Sequence, residues 1–140
     1  MSYLGFTIWE LSNEWQKQLT TELKAIDLTH VQFLILKAVY ELEVNHEEKT
    51  QVKIAQQART NIMMTSKVIR SLEKKEYIDR YNHAGDKRAF RITISKKGKK
   101  VLRKSINIIE NFEKEFFSTL EKKKKTQKLM EQLIKEKKKG

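Results

Sequence analysis

Along most of this 140-residue chain, apolar residues recur at steps of three and four, and only between Tyr77 and Ile94 does the spacing change to alternation. The first spacing marks one face of a helix and the second a half-buried strand, so the chain is restricted to amphipathic helices around one small β element. Leu4, Ile8, Leu11, Trp15, Leu19, Leu23 and Ile26 trace a first long helix, with Glu and Lys between them. Asp27-Leu28 interrupts it. Thr29-His30-Val31-Gln32 then reads as a capping box, in which a hydroxyl and an amide three residues on serve the free backbone donors of a new helix. Val31, Leu34, Ile35, Ala38, Val39 and Leu42 form the buried stripe expected of that helix, and the polar run 45–49 ends it.

Thr50 can cap a short third helix whose inward residues are Val52, Ile54, Ala55 and Ala58. After Arg59-Thr60, Asn61 is the cap expected for a fourth helix through Ile62, Thr65, Val68, Ile69 and Leu72. Two short helices joined by a tight turn are a helix-turn-helix pattern. Tyr77-Ile78-Asp79-Arg80-Tyr81 is strand-like, 82–86 is a turn cluster, and Phe90, Ile92 and Ile94 alternate with Arg91 and Thr93. A β-hairpin with a polar tip is expected there. Ser95 then caps a helix starting at Lys96 and carrying Val101, Leu102, Ile106, Ile109, Phe112, Phe116 and Leu120. The lysines 122–125 break this pattern, and Leu129, Met130, Leu133 and Ile134 form a last amphipathic turn or two. So small a middle cannot cover both long flanking helices, and an exposed helical stripe implies a partner helix, most simply from a second copy of the chain.

Charge narrows the function. The chain holds 30 Lys and Arg against 18 Asp and Glu, a formal +12, and the excess is unevenly placed. Residues 1–60 are slightly acidic at −2, residues 83–104 hold +8, residues 105–120 return to −2, and residues 121–140 carry +6. Five of the six arginines, Arg59, Arg70, Arg80, Arg88 and Arg91, fall within 33 residues. Arg offers a planar fork suited to phosphates and base edges, so this clustering points to nucleic acid. With no cysteine, disulfides, thiolate metal sites and thiol nucleophiles or redox sensors are excluded. No apolar run approaches a membrane span and the first residues lack a basic start followed by an apolar stretch, so a cytoplasmic location is expected.

Several segments match a known family. Leu28-Thr29-His30-Val31-Gln32-Phe33-Leu34-Ile35-Leu36 resembles the second-helix motif of the MarR family of bacterial transcription regulators. Ile54-Ala55, Ser66-Lys67-Val68-Ile69 and Leu72-Glu73-Lys74-Lys75 resemble its helix-turn-helix. Asp86-Lys87-Arg88 followed by Ile92-Thr93-Ile94-Ser95-Lys96-Lys97-Gly98 resembles its wing and the start of its fifth helix, and is the most specific part of a similarity spanning nearly the whole chain. There are two departures. Glu76 stands where the family usually has Gly before the first wing strand, and Ile62-Met63-Met64 stand where its recognition helix often has small polar residues.

The resemblance implies a mainly α fold with a small β-hairpin wing, a winged helix-turn-helix with long N- and C-terminal dimerisation helices. It implies a single domain over 1–140, with 1–28 and 96–140 as dimerisation helices and 29–95 as the DNA-binding lobe. The expected function is a homodimeric, sequence-specific DNA-binding regulator, a repressor, on an inverted-repeat operator in double-stranded DNA, with the recognition helix in the major groove. Asn61 caps that helix, and Met63, Ser66, Lys67 and Arg70 lie opposite its core face. Arg70 or Lys67 would donate to guanine edges and Met63 would touch a thymine methyl. By the resemblance Arg88 enters the minor groove, with Asp86 holding the hairpin tip, while Lys87, Arg91, Lys96 and Lys97 serve phosphates. The resemblance also admits a small-molecule effector, for which Trp9, Trp15, Phe33 and Tyr40 are the available aromatics, although aromatics at helical spacing serve as readily in a core.

No cofactor or metal is expected, since His30, His46 and His83 are far apart and form no ligand pair at helical spacing. No Gly-rich phosphate loop, nucleophile elbow or Ser-His-Asp set supports an enzyme. Two other readings of the charge remain: a basic accessory protein that coats nucleic acid without sequence choice, and a membrane-surface or protein-interaction module using the lysine block 122–139.

Overall fold

The computed structural model describes residues 2–82 and 90–138. Helix α1 (Leu4–Leu23) runs into a short 3-10 turn (Lys24–Ile26), and Asp27, in the left-handed region at φ 50°, turns the chain into α2 (His30–Val44). The capping box forms as the residues dictate. The Thr29 hydroxyl accepts from the Gln32 N–H at 3.1 Å and the Gln32 Oε1 accepts from the Thr29 N–H at 3.0 Å. Burial on α2 is wider than the expected stripe, since Phe33 and Leu36 are enclosed along with Ile35, Ala38, Val39 and Leu42, while Val31 and Leu34 are only partly covered. The cause is position: α1, α3, α4, α5 and the second hairpin strand all pack around α2, and a helix enclosed on several sides is apolar on most of its circumference.

Helix α3 (Gln51–Ala58) starts on Thr50, whose hydroxyl accepts from the Lys53 N–H at 3.2 Å. It ends at Arg59, left-handed at φ 58°, and α4 (Ile62–Lys74) begins three residues later on Asn61, whose Oδ1 accepts from the Met64 N–H at 2.8 Å. Ile54 and Ala55 of α3 and Thr65, Ile69 and Leu72 of α4 face the core. Val52, expected inside, is exposed, and so is Ile62 at the start of α4. Each sits in the first turn of its helix, Val52 about 110° and Ile62 about 55° around the axis from the midline of the buried face.

Strands β1 (Ile78–Asn82) and β2 (Phe90–Ile94) pair antiparallel, with Ile78 opposite Ile94 and Arg80 opposite Ile92. Alternation buries Ile78, Ile92 and Ile94 and leaves Tyr81 and Arg91, a cross-strand pair, outside. The expected turn falls largely in 83–89, outside the described residues. Before β1 the chain turns at Glu76, which adopts φ 64° where a glycine would adopt it without strain.

Ser95 caps α5 (Lys96–Phe116) by accepting from the Gly98 N–H at 2.9 Å, and its own hydroxyl donates to the Glu76 carbonyl at 2.6 Å. Gly98 is required there, because a β-carbon would overlap the Tyr77 carbonyl oxygen and stand 2.8 Å from the Ile94 side chain. Farther along, Phe112 joins Leu19 and Leu23 of α1 in a second, smaller apolar cluster, with Trp15, Ile108, Ile109 and Phe116 partly buried around it. Leu120, expected to continue this face, is exposed beyond the end of α5. The last element, α6 (Lys123–Lys137), is longer than the expected turn or two and includes the lysines 123–125. Lysine favours helix, so it interrupts the apolar pattern without interrupting the backbone; the break falls one residue earlier, at left-handed Lys122. None of the residues of α6 is buried.

Candidate nucleic-acid interface

The buried row Thr65, Ile69 and Leu72 fixes the rotation of α4, and the opposite face is then a stripe of Met63, Lys67, Arg70 and Lys74, all exposed. Ser66 lies at its edge, half-buried, and Asn61 is exposed at the helix start. No acidic side chain occupies the first turn of α4. Of the recognition-helix residues expected from sequence, Met63, Lys67 and Arg70 thus share one outward face. Lys74 completes it and was missed, although its place seven residues after Lys67 was a readable signal.

Hydrogen bonds at both ends hold this helix in place. Thr65, fully buried, donates its hydroxyl to the Asn61 carbonyl at 2.8 Å and lies 2.7 Å from the Thr60 hydroxyl, tying the turn to the helix. At the other end, Gln32 donates its amide to the Ser71 hydroxyl at 2.6 Å. Lys75 donates to the Gln32 Oε1 at 3.1 Å and to the Asp27 carbonyl at 2.5 Å. Gln32 is 8% exposed, so the residue that caps α2 also locks α4 against the corner between α1 and α2.

The hairpin is fastened to α2 by Glu43. Its carboxylate accepts from the Thr93 hydroxyl at 2.6 Å and the Ile94 N–H at 3.4 Å, and pairs with Lys49 at 2.9 Å. Burial pushes the Glu43 carboxyl up, but these hydrogen bonds and the Lys49 charge outweigh it and hold the group below its ordinary range. Arg91 is exposed on the outer face of β2, while Asp86, Lys87 and Arg88 lie outside the described residues. Lys96 and Lys97 occupy the first turn of α5, where the helix dipole opposes positive charge; Lys97 lies 5.6 Å from the Tyr77 ring centre and 3.7 Å from Glu76.

The four aromatics considered for an effector crevice are dispersed. Trp9 is exposed on α1 and Tyr40 on α2, and Phe33 is in the main core. Trp15 sits between α1 and α5, donating to Glu113 at 2.5 Å and standing edge-on to His30 with ring centres 5.1 Å apart. Burial lowers the His30 pKa. An open groove of about 400 Å³ along α1 and α5 is lined by other residues, among them Gln18, Glu22, Asn111, Phe112 and Phe116. Among the described residues no three His, Asp or Glu side chains are grouped to hold a metal ion, and no helix is long and apolar enough to cross a membrane.

A helix-turn-helix whose second helix turns three cations outward, followed by an antiparallel hairpin strapped to the core and a long helix, defines a winged helix-turn-helix protein. The model of the MarR family matches residues 28–90. An uncharacterised HTH-type transcriptional regulator of Bacillus subtilis (strain 168), YdcH, is 34% identical over 131 residues, covering 94% of this chain and 89% of that protein. Among solved structures, the transcriptional regulator BldR of Sulfolobus solfataricus has a TM-score of 0.80 at 23% identity, covering 95% of this chain and 93% of BldR. MepR of S. aureus in its complex with DNA has a TM-score of 0.79 at 23% identity, covering 98% and 96%. The chain belongs to the MarR family, a family of transcriptional regulators rather than enzymes.

Proposed function

We propose that this protein is a homodimeric, sequence-specific DNA-binding repressor that engages an inverted-repeat operator with α4 in the major groove and the β1–β2 hairpin in the adjacent minor groove. The observation that carries the reading is the exposed stripe of α4, where Lys67, Arg70 and Lys74 follow one another on the face opposite the buried row. Cations at that spacing meet base edges and the flanking phosphates along one groove. A related fold, that of MepR, has been solved on DNA. In this reading Arg88 enters the minor groove, Asp86 steadies the hairpin tip, and Lys87, Arg91, Lys96 and Lys97 contact phosphates. The protein then acts in the cytoplasm, where bacterial DNA lies.

Dimerisation is supported by what one copy leaves uncovered. Leu4, Ile8 and Leu11 of α1 and Leu129, Met130, Leu133 and Ile134 of α6 are exposed. The two helices are also of opposite charge, since α1 carries Glu10, Glu14 and Glu22 against Lys17, while α6 carries six lysines against Glu131 and Glu136. A second copy covers both apolar stripes and pairs acidic with basic helix. The groove along α1 and α5 is the place for a small-molecule effector in this reading.

The test is footprinting on fragments selected from the source genome, with random duplex as competitor. Protection of a short inverted repeat that random DNA does not displace supports the reading. Equal displacement by random DNA overturns it in favour of a sequence-independent accessory protein. Arg70→Ala is expected to weaken specific binding by about 1 to 3 kcal/mol, with affinity in all forms falling steeply as salt rises.

A further inference from the structure

The leading turn of α4 is apolar and open. Met63 is 79% exposed, Ile62 51% and Met64 42%, the last two on either shoulder of the stripe that Met63 begins. Exposure of three large apolar side chains in one turn costs solvation and is not needed for packing, since Thr65, Ile69 and Leu72 already seat the helix. The stripe does not remain apolar. It continues from Met63 into Lys67, Arg70 and Lys74, so whatever covers this face is anionic beside an apolar group.

Of the groups that B-DNA displays in its major groove, the C5 methyl of thymine is the apolar one; the remainder are hydrogen-bond donors and acceptors. An unbranched thioether side chain with three rotatable bonds can follow such a methyl as the helix settles in the groove. We propose that Met63, shouldered by Ile62 and Met64, reads pyrimidine 5-methyl groups, so that the DNA recognised by this chain carries thymine at the bases facing the first turn of α4, with Lys67 and Arg70 on the bases and phosphates beyond. This rests on the DNA-binding reading above and adds the chemistry of the recognised base.

The experiment selects duplexes bound by the full chain from a random pool and remakes the enriched duplex with deoxyuridine in place of thymidine, which keeps base pairing and removes the methyl. Affinity is expected to fall about fourfold for each contacted methyl, the worth of one buried carbon. In Met63→Ala, thymidine and deoxyuridine duplexes should bind alike. The residue is exposed and Ala favours helix, so this variant keeps its fold. Equal binding of both duplexes by the unaltered protein overturns the inference while leaving the DNA-binding reading intact. A deoxyuridine loss that persists in Met63→Ala also overturns it, because the methyl is then sensed elsewhere or through DNA shape. If Met63→Ala changes the sedimentation of the free protein, the patch is a protein contact and the inference falls. If no duplex is enriched at all, the reading beneath it fails and the inference fails with it.

Discussion

The lobe built around α2 and the pair of terminal helices solve the same problem in opposite ways. In the lobe, Ile35, Leu36, Val39, Ile54, Ile69, Leu72, Ile78 and Ile92 are all essentially inaccessible, and one chain completes the core. Of the terminal helices, α1 buries Leu19 and Leu23, which close against Phe112 of α5, while the outer half of α1 and the whole of α6 keep their apolar residues in water. The difference is one of neighbours. A helix at the centre of others buries its surroundings locally, whereas a helix at the edge of so short a chain has no second layer to lie on. The lobe therefore owes its stability to itself, and the terminal helices owe theirs to whatever covers them.

The comparison breaks most sharply on a pair of substitutions. Leu36→Ala removes a fully enclosed side chain from the lobe and is expected to cost about 2 to 5 kcal/mol, with the same loss at every protein concentration. Denaturant unfolding at two concentrations checks it, and a loss that shrinks as protein is added would mean that the lobe too depends on a partner. Leu129→Glu places a charge on the exposed apolar stripe of α6 and is expected to weaken self-association by about 2 kcal/mol or more, near thirtyfold. Sedimentation equilibrium reads this directly. Self-association unchanged by Leu129→Glu at low micromolar protein would show that α6 takes no part in it.

The same division explains what was legible in the sequence. The caps at Thr29, Thr50, Asn61 and Ser95 were readable because each is a side chain bonding to a backbone three residues away, and no tertiary knowledge is needed. The outward face of α4 was readable for Met63, Lys67 and Arg70 because one buried row fixes a helix's rotation. The left-handed Glu76 was readable too, from the glycine expected in its place. Burial at helix starts was not: Val52 is apolar but lies off the buried face of its helix. The supports of the site were also hidden. Gln32 with Ser71 and Lys75, and Glu43 with Thr93, join residues 39 to 50 positions apart, and no periodicity connects them.

The smallest expected effect sharpens the boundary between the two regions. His30 is the first residue of α2 and stands edge-on to Trp15 of α1, so it belongs to the lobe by sequence and to the terminal helices by contact. Burial lowers its pKa below the ordinary 6.5, so the folded protein favours the neutral ring. The sign follows. As pH falls below the ordinary value the unfolded chain takes up a proton before the folded one does, and stability declines until the folded ring is protonated as well. The N-terminal end of α2, the positive end of the helix dipole, acts in the same direction by disfavouring a cation. A melting temperature that declines gently between about pH 7 and pH 5, and a flatter profile in His30→Gln, are expected. Because the ring is half-buried and partly solvated, the slope is shallow beside the effect of Leu36→Ala or Leu129→Glu. If His30→Gln leaves the slope unchanged, the proton uptake occurs elsewhere, and the contact between α1 and α2 is a packing contact without a charge cost.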